Sequence, residues 1–193
     1  MAERKKLPST FFNMVAVLTL VCVVSALALG FTYSRTKDAI AQGKINKIIE
    51  ALKIVLPEFD NNPYEEKYTL ESAPGLIFYP ALRDGKPVGT AVETFSSQGF
   101  GSEDIRLMVG FDVSGRIISV SVLGQAETPG LGTKMEEPSF RAQFKDKDPA
   151  NFKVAVKKDG GDVDAITAAT ISSRAFCDGV NKAYTALRQE TVR

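Results

Sequence analysis

Ten residues near the C-terminus, Asp164-Ala165-Ile166-Thr167-Ala168-Ala169-Thr170-Ile171-Ser172-Ser173, combine small side chains with hydroxyls where a helical pattern begins. Two uses suit them. Thr170 or Ser172 can cap the helix by accepting a free backbone N–H. Equally, the free N–H groups and positive dipole end of that helix favour a phosphate. Small residues let the backbone approach it. A threonine hydroxyl there can hydrogen-bond a phosphate or be esterified to one.

A second segment is Glu127-Thr128-Pro129-Gly130-Leu131-Gly132. Pro129-Gly130 is a tight-turn pair, and Gly132 permits another unusual dihedral. The segment reads either as a connector or as a rigid loop. As a rigid loop it offers backbone amides and Glu127 or Thr128 to a planar polar ring. Gly99-Phe100-Gly101 does not lead from a strand into a helix, as a dinucleotide fingerprint would, and reads as a mobile loop. A Ser–Lys hydrolase would use Ser172 or Ser173 with Lys134 or Lys182, but no S-x-x-K spacing supports it.

Composition removes most other chemistry. The 193 residues contain no histidine, which excludes Ser-His-Asp and Cys-His constellations and His-ligated haem. Two cysteines, Cys22 and Cys177, cannot build a zinc knuckle or an iron–sulfur cluster. Cys22 reads as a small apolar residue of the membrane span and Cys177 as a packed thiol. A net charge of +1 gives no electrostatic case for nucleic acid. Redox chemistry here requires a borrowed cofactor.

The elements that must position these residues follow from periodicity. Phe11 to Tyr33 carries no charge and as a helix spans roughly 34 Å, enough to cross a bilayer core. Arg4, Lys5 and Lys6 precede it and favour a cytoplasmic N-terminus. Ala26-Leu27-Ala28 resembles a signal-peptidase site, but the apolar run continues past it, which favours an uncleaved anchor. The span carries no ionisable acid or base beyond Cys22 and Tyr33, so an ion pathway is not expected in this chain.

The expected organisation is residues 1–10 as a cytoplasmic tail, 11–33 as the membrane helix, 34–57 as a stalk helix ended by Pro57, and 58–193 as an outer domain. Four strands are expected at Leu76–Leu82, Val88–Phe95, Ile105–Phe111 and Ile117–Leu123, with turns at Asp84-Gly85 and Ser114-Gly115. Pro138–Phe144 suggests a short helix, Phe152–Val156 a fifth strand, and Thr170–Arg188 a final helix. The fold class is α+β: a twisted antiparallel sheet with a covering C-terminal helix, behind an anchor and stalk.

The E-T-P-G-L-G loop and the later Asp164, Thr167, Ala168, Ala169, Thr170 series, placed behind a membrane helix, resemble the FMN-binding-domain family. That family includes flavin-carrying subunits of Rnf-type complexes and of sodium-pumping NADH:quinone reductases. Its modification signature runs D-x-x-[ST]-G-A-T, and this chain departs from it at Ala168, where glycine is usual.

The resemblance implies that a flavin transferase joins the phosphate of FMN to the Thr170 hydroxyl. Asp164 and Thr167 would belong to the signature that the transferase recognises. Glu127, Thr128, Leu131, Gly132 and Lys134 would surround the ring, with Ala169, Ile171, Ser172 and Ser173 beside the phosphate. Phe100 could pack on the ring, but a core or loop aromatic is the plainer reading. The chain would then relay electrons in an Rnf-type ferredoxin:NAD+ oxidoreductase and hold no complete active site of its own. Its partners would be an iron–sulfur-bearing membrane pair and a second flavin subunit, with its domain on the periplasmic or extracellular face. The alternatives are the C subunit of a sodium-translocating NADH:quinone reductase, or an anchored assembly module without flavin. The compact chain leans toward the Rnf type.

Overall fold

A computed structural model describes residues 10–191. Arg4, Lys5 and Lys6, and with them nearly all of the expected cytoplasmic tail, lie outside the described residues. The chain divides after Asn46 into two compact units.

Helix α1 runs Phe11–Val55 without a break. The expected membrane and stalk segments are therefore stretches of one element. Its N-terminal part is long and apolar enough to cross a membrane, and none of that stretch is buried against protein. Three hydroxyls at and just past the end of the apolar run are satisfied within the helix. Thr32, Ser34 and Thr36 donate to the carbonyls of Ala28, Gly30 and Thr32 at 2.9, 2.8 and 2.9 Å. Such back-bonding removes the cost of an unpaired hydroxyl in an apolar medium. The helix stops at Val55, since Leu56 precedes Pro57 and is steered away from helical dihedrals.

The second unit, from Lys47 onward, is built on one sheet. Strands β1 (Ile77–Arg83), β2 (Lys86–Ser96), β3 (Ile105–Asp112) and β4 (Ile117–Gly124) pair antiparallel in chain order. Each expected strand is present within two residues at either end. Both Asp84 (φ 52°) and Gly85 (φ 71°) are left-handed, as a two-residue hairpin of primed type requires. At the second hairpin the Asp112 carboxylate accepts the Ser114 and Arg116 N–H groups, and Gly115 takes φ 84°.

Alternation gives the sheet two buried faces. Phe78, Val92, Val109 and Val120 are register partners across all four strands and belong to the larger core. Helix α3 (Thr170–Thr191) covers that face with Ala175, Phe176, Val180 and Ala183, all fully buried. Thr94 anchors it by donating to the Gly179 carbonyl at 3.0 Å, and Ser96 by donating to Asp178 at 2.6 Å. Phe140 of the short helix α2 (Pro138–Arg141) and Phe144 of the 3-10 turn after it pack on Phe176.

On the other face Ala51, Leu52, Val55 and Leu56, from the last turns of α1 onward, pack on Tyr79, Ala81, Ala91 and Met108. Gly110 makes this approach possible: a Cβ there would lie 1.8 Å from the Val55 carbonyl oxygen. Buried Glu93 sits on this face too, accepting the Tyr79 hydroxyl at 2.8 Å and pairing with Arg106. Burial, then the Glu93 charge, pushes the Tyr79 phenol far above its ordinary range.

The expected fifth strand does not form. Val154 and Val156 are buried as the alternation implied, but Val156 makes only an isolated parallel bridge to Val163. The chain turns back too soon for a ladder. Gly161 lies so close to Ala155 that a Cβ would meet its carbonyl oxygen at 2.1 Å.

Candidate functional site

Glu127, three residues past β4, is 4% exposed and makes no ion pair among the described residues. Its charge is balanced by hydrogen bonds. One oxygen accepts the Phe100 and Gly101 N–H groups at 2.9 and 3.0 Å. The other accepts the Ser172 hydroxyl at 2.5 Å. Charge-assisted bonds of this kind are what keep a buried carboxylate tolerable. Three of its acceptor sites are thereby used within the protein.

Glycines make the arrangement possible. A Cβ on Gly99 would lie 2.5 Å from Glu127 Oε1, and one on Gly132 would lie 2.7 Å from Oε2 and 2.6 Å from Ser172 Oγ. Gly101 closes on the Ala126 carbonyl, where a Cβ would come within 2.3 Å. Two expectations change here. Gly99-Phe100-Gly101 is a clamped loop, not a loose one. Gly132 is required for close approach, while the left-handed dihedral belongs to Gly130 (φ 75°). Gly130 is the third residue of the turn Thr128-Pro129-Gly130-Leu131, closed by Leu131 N–H to Thr128 O at 3.1 Å.

A matching turn starts α3. Ile166-Thr167-Ala168-Ala169 closes with Ala169 N–H to Ile166 O at 3.0 Å, and Ala168 takes φ 62°. The helix then begins at Thr170, so Ala169 occupies the cap position and neither Thr170 nor Ser172 caps it. Ser173 steadies the turn from below: its Oγ accepts the Ile166 N–H at 2.9 Å and donates to the Ala169 carbonyl at 3.0 Å. The backbone N–H groups of Thr170, Ile171 and Ser172, and the Thr170 hydroxyl, have no partner among the described residues. Three unpaired donors at a helix start form an anion cradle.

These segments enclose an open cleft of about 370 Å³. Of the expected site residues, Glu127, Thr128, Leu131, Gly132, Ala169, Thr170, Ile171 and Ser172 line it. Phe100 and Ala168 line it as well. Lys134 is outside the lining, and Ser173 is buried beneath it. Asp164 and Thr167 are also outside, exposed on the approach to the turn. Asp164 is held there by Lys157 at 2.8 Å and by paired hydrogen bonds with the Gln143 amide.

Phe100 was legible as a possible ring contact, with a core or loop aromatic as the plainer reading, and the fold puts it in the cleft lining. The usable signal was an aromatic between two glycines in a chain that also carries a Glu-headed Pro-Gly loop. Among the described residues no cluster of His, Cys, Asp or Glu could hold a metal.

The FMN-binding domain family matches residues 99–185. The G subunit of the ion-translocating oxidoreductase complex of Shewanella amazonensis is 33% identical over 173 residues, covering 83% of this chain and 80% of that protein. The G subunit of Vibrio cholerae serotype O1 is 33% identical over 186 residues, covering 90% and 88%. That of Stutzerimonas stutzeri is 36% identical over 175 residues, covering 86% and 76%. The chain belongs to the G-subunit family of ion-translocating oxidoreductase complexes. In this member of the G-subunit family the FMN-binding domain match, 99–185, takes in every residue that lines the cleft. Among solved structures, Shewanella oneidensis NqrC overlays with a TM-score of 0.43 at 23% identity, covering 64% of this chain and 63% of that one.

The cleft suits FMN on its own terms. Unpaired N–H groups meet a phosphate, small residues (Ala168, Ala169, Gly132) admit it, and the exposed apolar side chains of Phe100, Leu131 and Ile171 suit a flat ring.

Proposed function

We propose that this chain is the electron-relay subunit of an Rnf-type complex, holding FMN through a phosphoester to Thr170. Carrying this reading is the coincidence at one cleft of an unbonded Thr170 hydroxyl, three unpaired helix N–H groups and the FMN-binding domain match. FMN, when bound, supplies reversible one- and two-electron transfer.

Attachment from FAD balances simply. The Thr170 Oγ1–phosphorus bond forms, the pyrophosphate bond to AMP breaks, and the threonine proton leaves to solvent. A separate transferase supplies the catalysis, with Asp164 and Thr167 on the exposed approach that it reads. This chain supplies the acceptor hydroxyl and a cradle that holds the charged phosphate. Thr128, Leu131, Gly132 and Ile171 orient the ring and limit water at it. Lys134 lies outside the cleft lining, so its part is the long-range attraction of a cation for a reduced, anionic ring.

Helix α1 anchors the chain in the cytoplasmic membrane, with the N-terminus inside and the FMN-binding domain on the outer face. Electrons arrive from an iron–sulfur-bearing membrane pair and leave to a second flavin subunit. Ion movement belongs to those partners.

Co-expression with a flavin transferase tests the reading. In-gel flavin fluorescence of the denatured chain is expected, and its loss in Thr170→Ala. A wild-type chain without flavin, beside a transferase active on a control substrate, would overturn it in favour of an anchored assembly module.

A further inference from the structure

The Glu127 carboxylate is buried, lacks a cation among the described residues, and uses one oxygen to hold two consecutive N–H groups of the Gly99-Phe100-Gly101 loop. Two glycines, Gly99 and Gly132, are needed for that carboxylate to be wrapped so closely, and Gly101 for the loop to close on the Ala126 carbonyl. At the centre of the loop the Phe100 side chain is 69% exposed and lines the cleft. An aromatic fixed by its backbone at the lining of a cleft is placed to stack on a planar ligand. Glu127 bonds through its other oxygen to Ser172, in the first turn of the helix that begins with Thr170. One side chain thus ties the aromatic to the attachment helix.

We propose that Glu127 is a positioning residue, whose hydrogen bonds to Phe100, Gly101 and Ser172 hold the Phe100 ring as a fixed cover over one face of the flavin. The proposal rests on the flavin reading above. The demand is geometric. A glutamine can still accept the two N–H groups with its carbonyl oxygen and turn its amide toward Ser172 Oγ, which accepts. Alanine can do neither.

Amide hydrogen exchange on the full chain in detergent, without flavin, reads the clamp directly. In Glu127→Ala the Phe100 and Gly101 amides should exchange at least about tenfold faster, and in Glu127→Gln they should stay within about threefold of wild type. Iodide quenching of flavin fluorescence on the loaded chain reads the cover. The quenching constant should rise by about twofold in Phe100→Ala and Glu127→Ala alike, and return toward wild type in Glu127→Gln. Phe100 is exposed, so Phe100→Ala folds even if Glu127→Ala does not. Unchanged exchange in Glu127→Ala would overturn the clamp, and unchanged quenching in Phe100→Ala would overturn the cover. A wild-type chain that carries no flavin would overturn the flavin reading and the cover with it, a failure distinct from loaded protein that ignores both substitutions.

Discussion

The Ser172 hydroxyl donates to Glu127 Oε2 at 2.5 Å, tying the first turn of α3 to the loop that follows β4. Both side chains are buried, at 3% and 4% exposure. Ser172→Ala leaves that carboxylate oxygen without its donor. The expected loss is about 2 kcal/mol of unfolding free energy, the scale of a buried hydrogen bond to a charged group. Urea denaturation of the detergent-solubilised chain measures it, and a change below a few tenths would refute the pairing.

Ala168 stands where the resembling signature has glycine, and its φ is 62°. A Cβ in the left-handed region costs of order 1 kcal/mol. Ala168→Gly is therefore expected to stabilise the chain by up to about 1 kcal/mol, although glycine loosens the unfolded state. Thermal unfolding of the two proteins compares them.

Gly110 and Val55 pack backbone against backbone. The neighbour that a Gly110→Ala methyl would strike is a carbonyl oxygen, not the end of a flexible side chain. The expected cost is about 3 kcal/mol, at the upper end of overpacking effects. Protease cleavage between Val55 and Asn62 should become easier in the variant while the cleft and its flavin are retained.

Burial pushes the Cys177 thiol up to about 12, with the Asp159 charge adding to it. Its folded value lies above its unfolded value. The neutral thiol therefore favours the folded state below about pH 9, and that contribution is lost as pH rises toward 12. In a Cys22→Ser background, a thiol reagent at about pH 8 should leave Cys177 unlabelled until the protein unfolds. Rapid labelling of the folded chain would contradict the burial.

Local signals made most of the fold legible. The four strands follow from alternation and from Asp-Gly and Ser-Gly turns, and α3 follows from its three- and four-residue spacing. The false fifth strand shows the limit of alternation. Val154 and Val156 do point inward, but a ladder needs a partner strand, and Gly161 folds the chain back within a few residues. At the site, the Thr128-Pro129-Gly130-Leu131 turn could be read from residue type, whereas Thr170 was singled out only by the family resemblance.

The role of Glu127 could not, because its partners lie 26 and 27 residues upstream and 45 downstream. Only folding brings Gly99 and Gly132 around one carboxylate. Lys134 was legible as a cation close to the loop, and the fold leaves it outside the cleft lining.

Trypsin supplies the most direct test of the central claim. Cleavage after Lys158 and Arg174 releases one peptide, 159–174, that contains Thr167, Thr170, Ser172 and Ser173 together. Fragmentation of that peptide from the chain co-expressed with a flavin transferase localises any modification to one hydroxyl. The account predicts a gain equal to FMN less one water, carried by fragments that contain Thr170 and absent from those ending at Ala169. The same gain on Thr167, Ser172 or Ser173, or an unmodified peptide alongside a flavinylated control substrate, would contradict it.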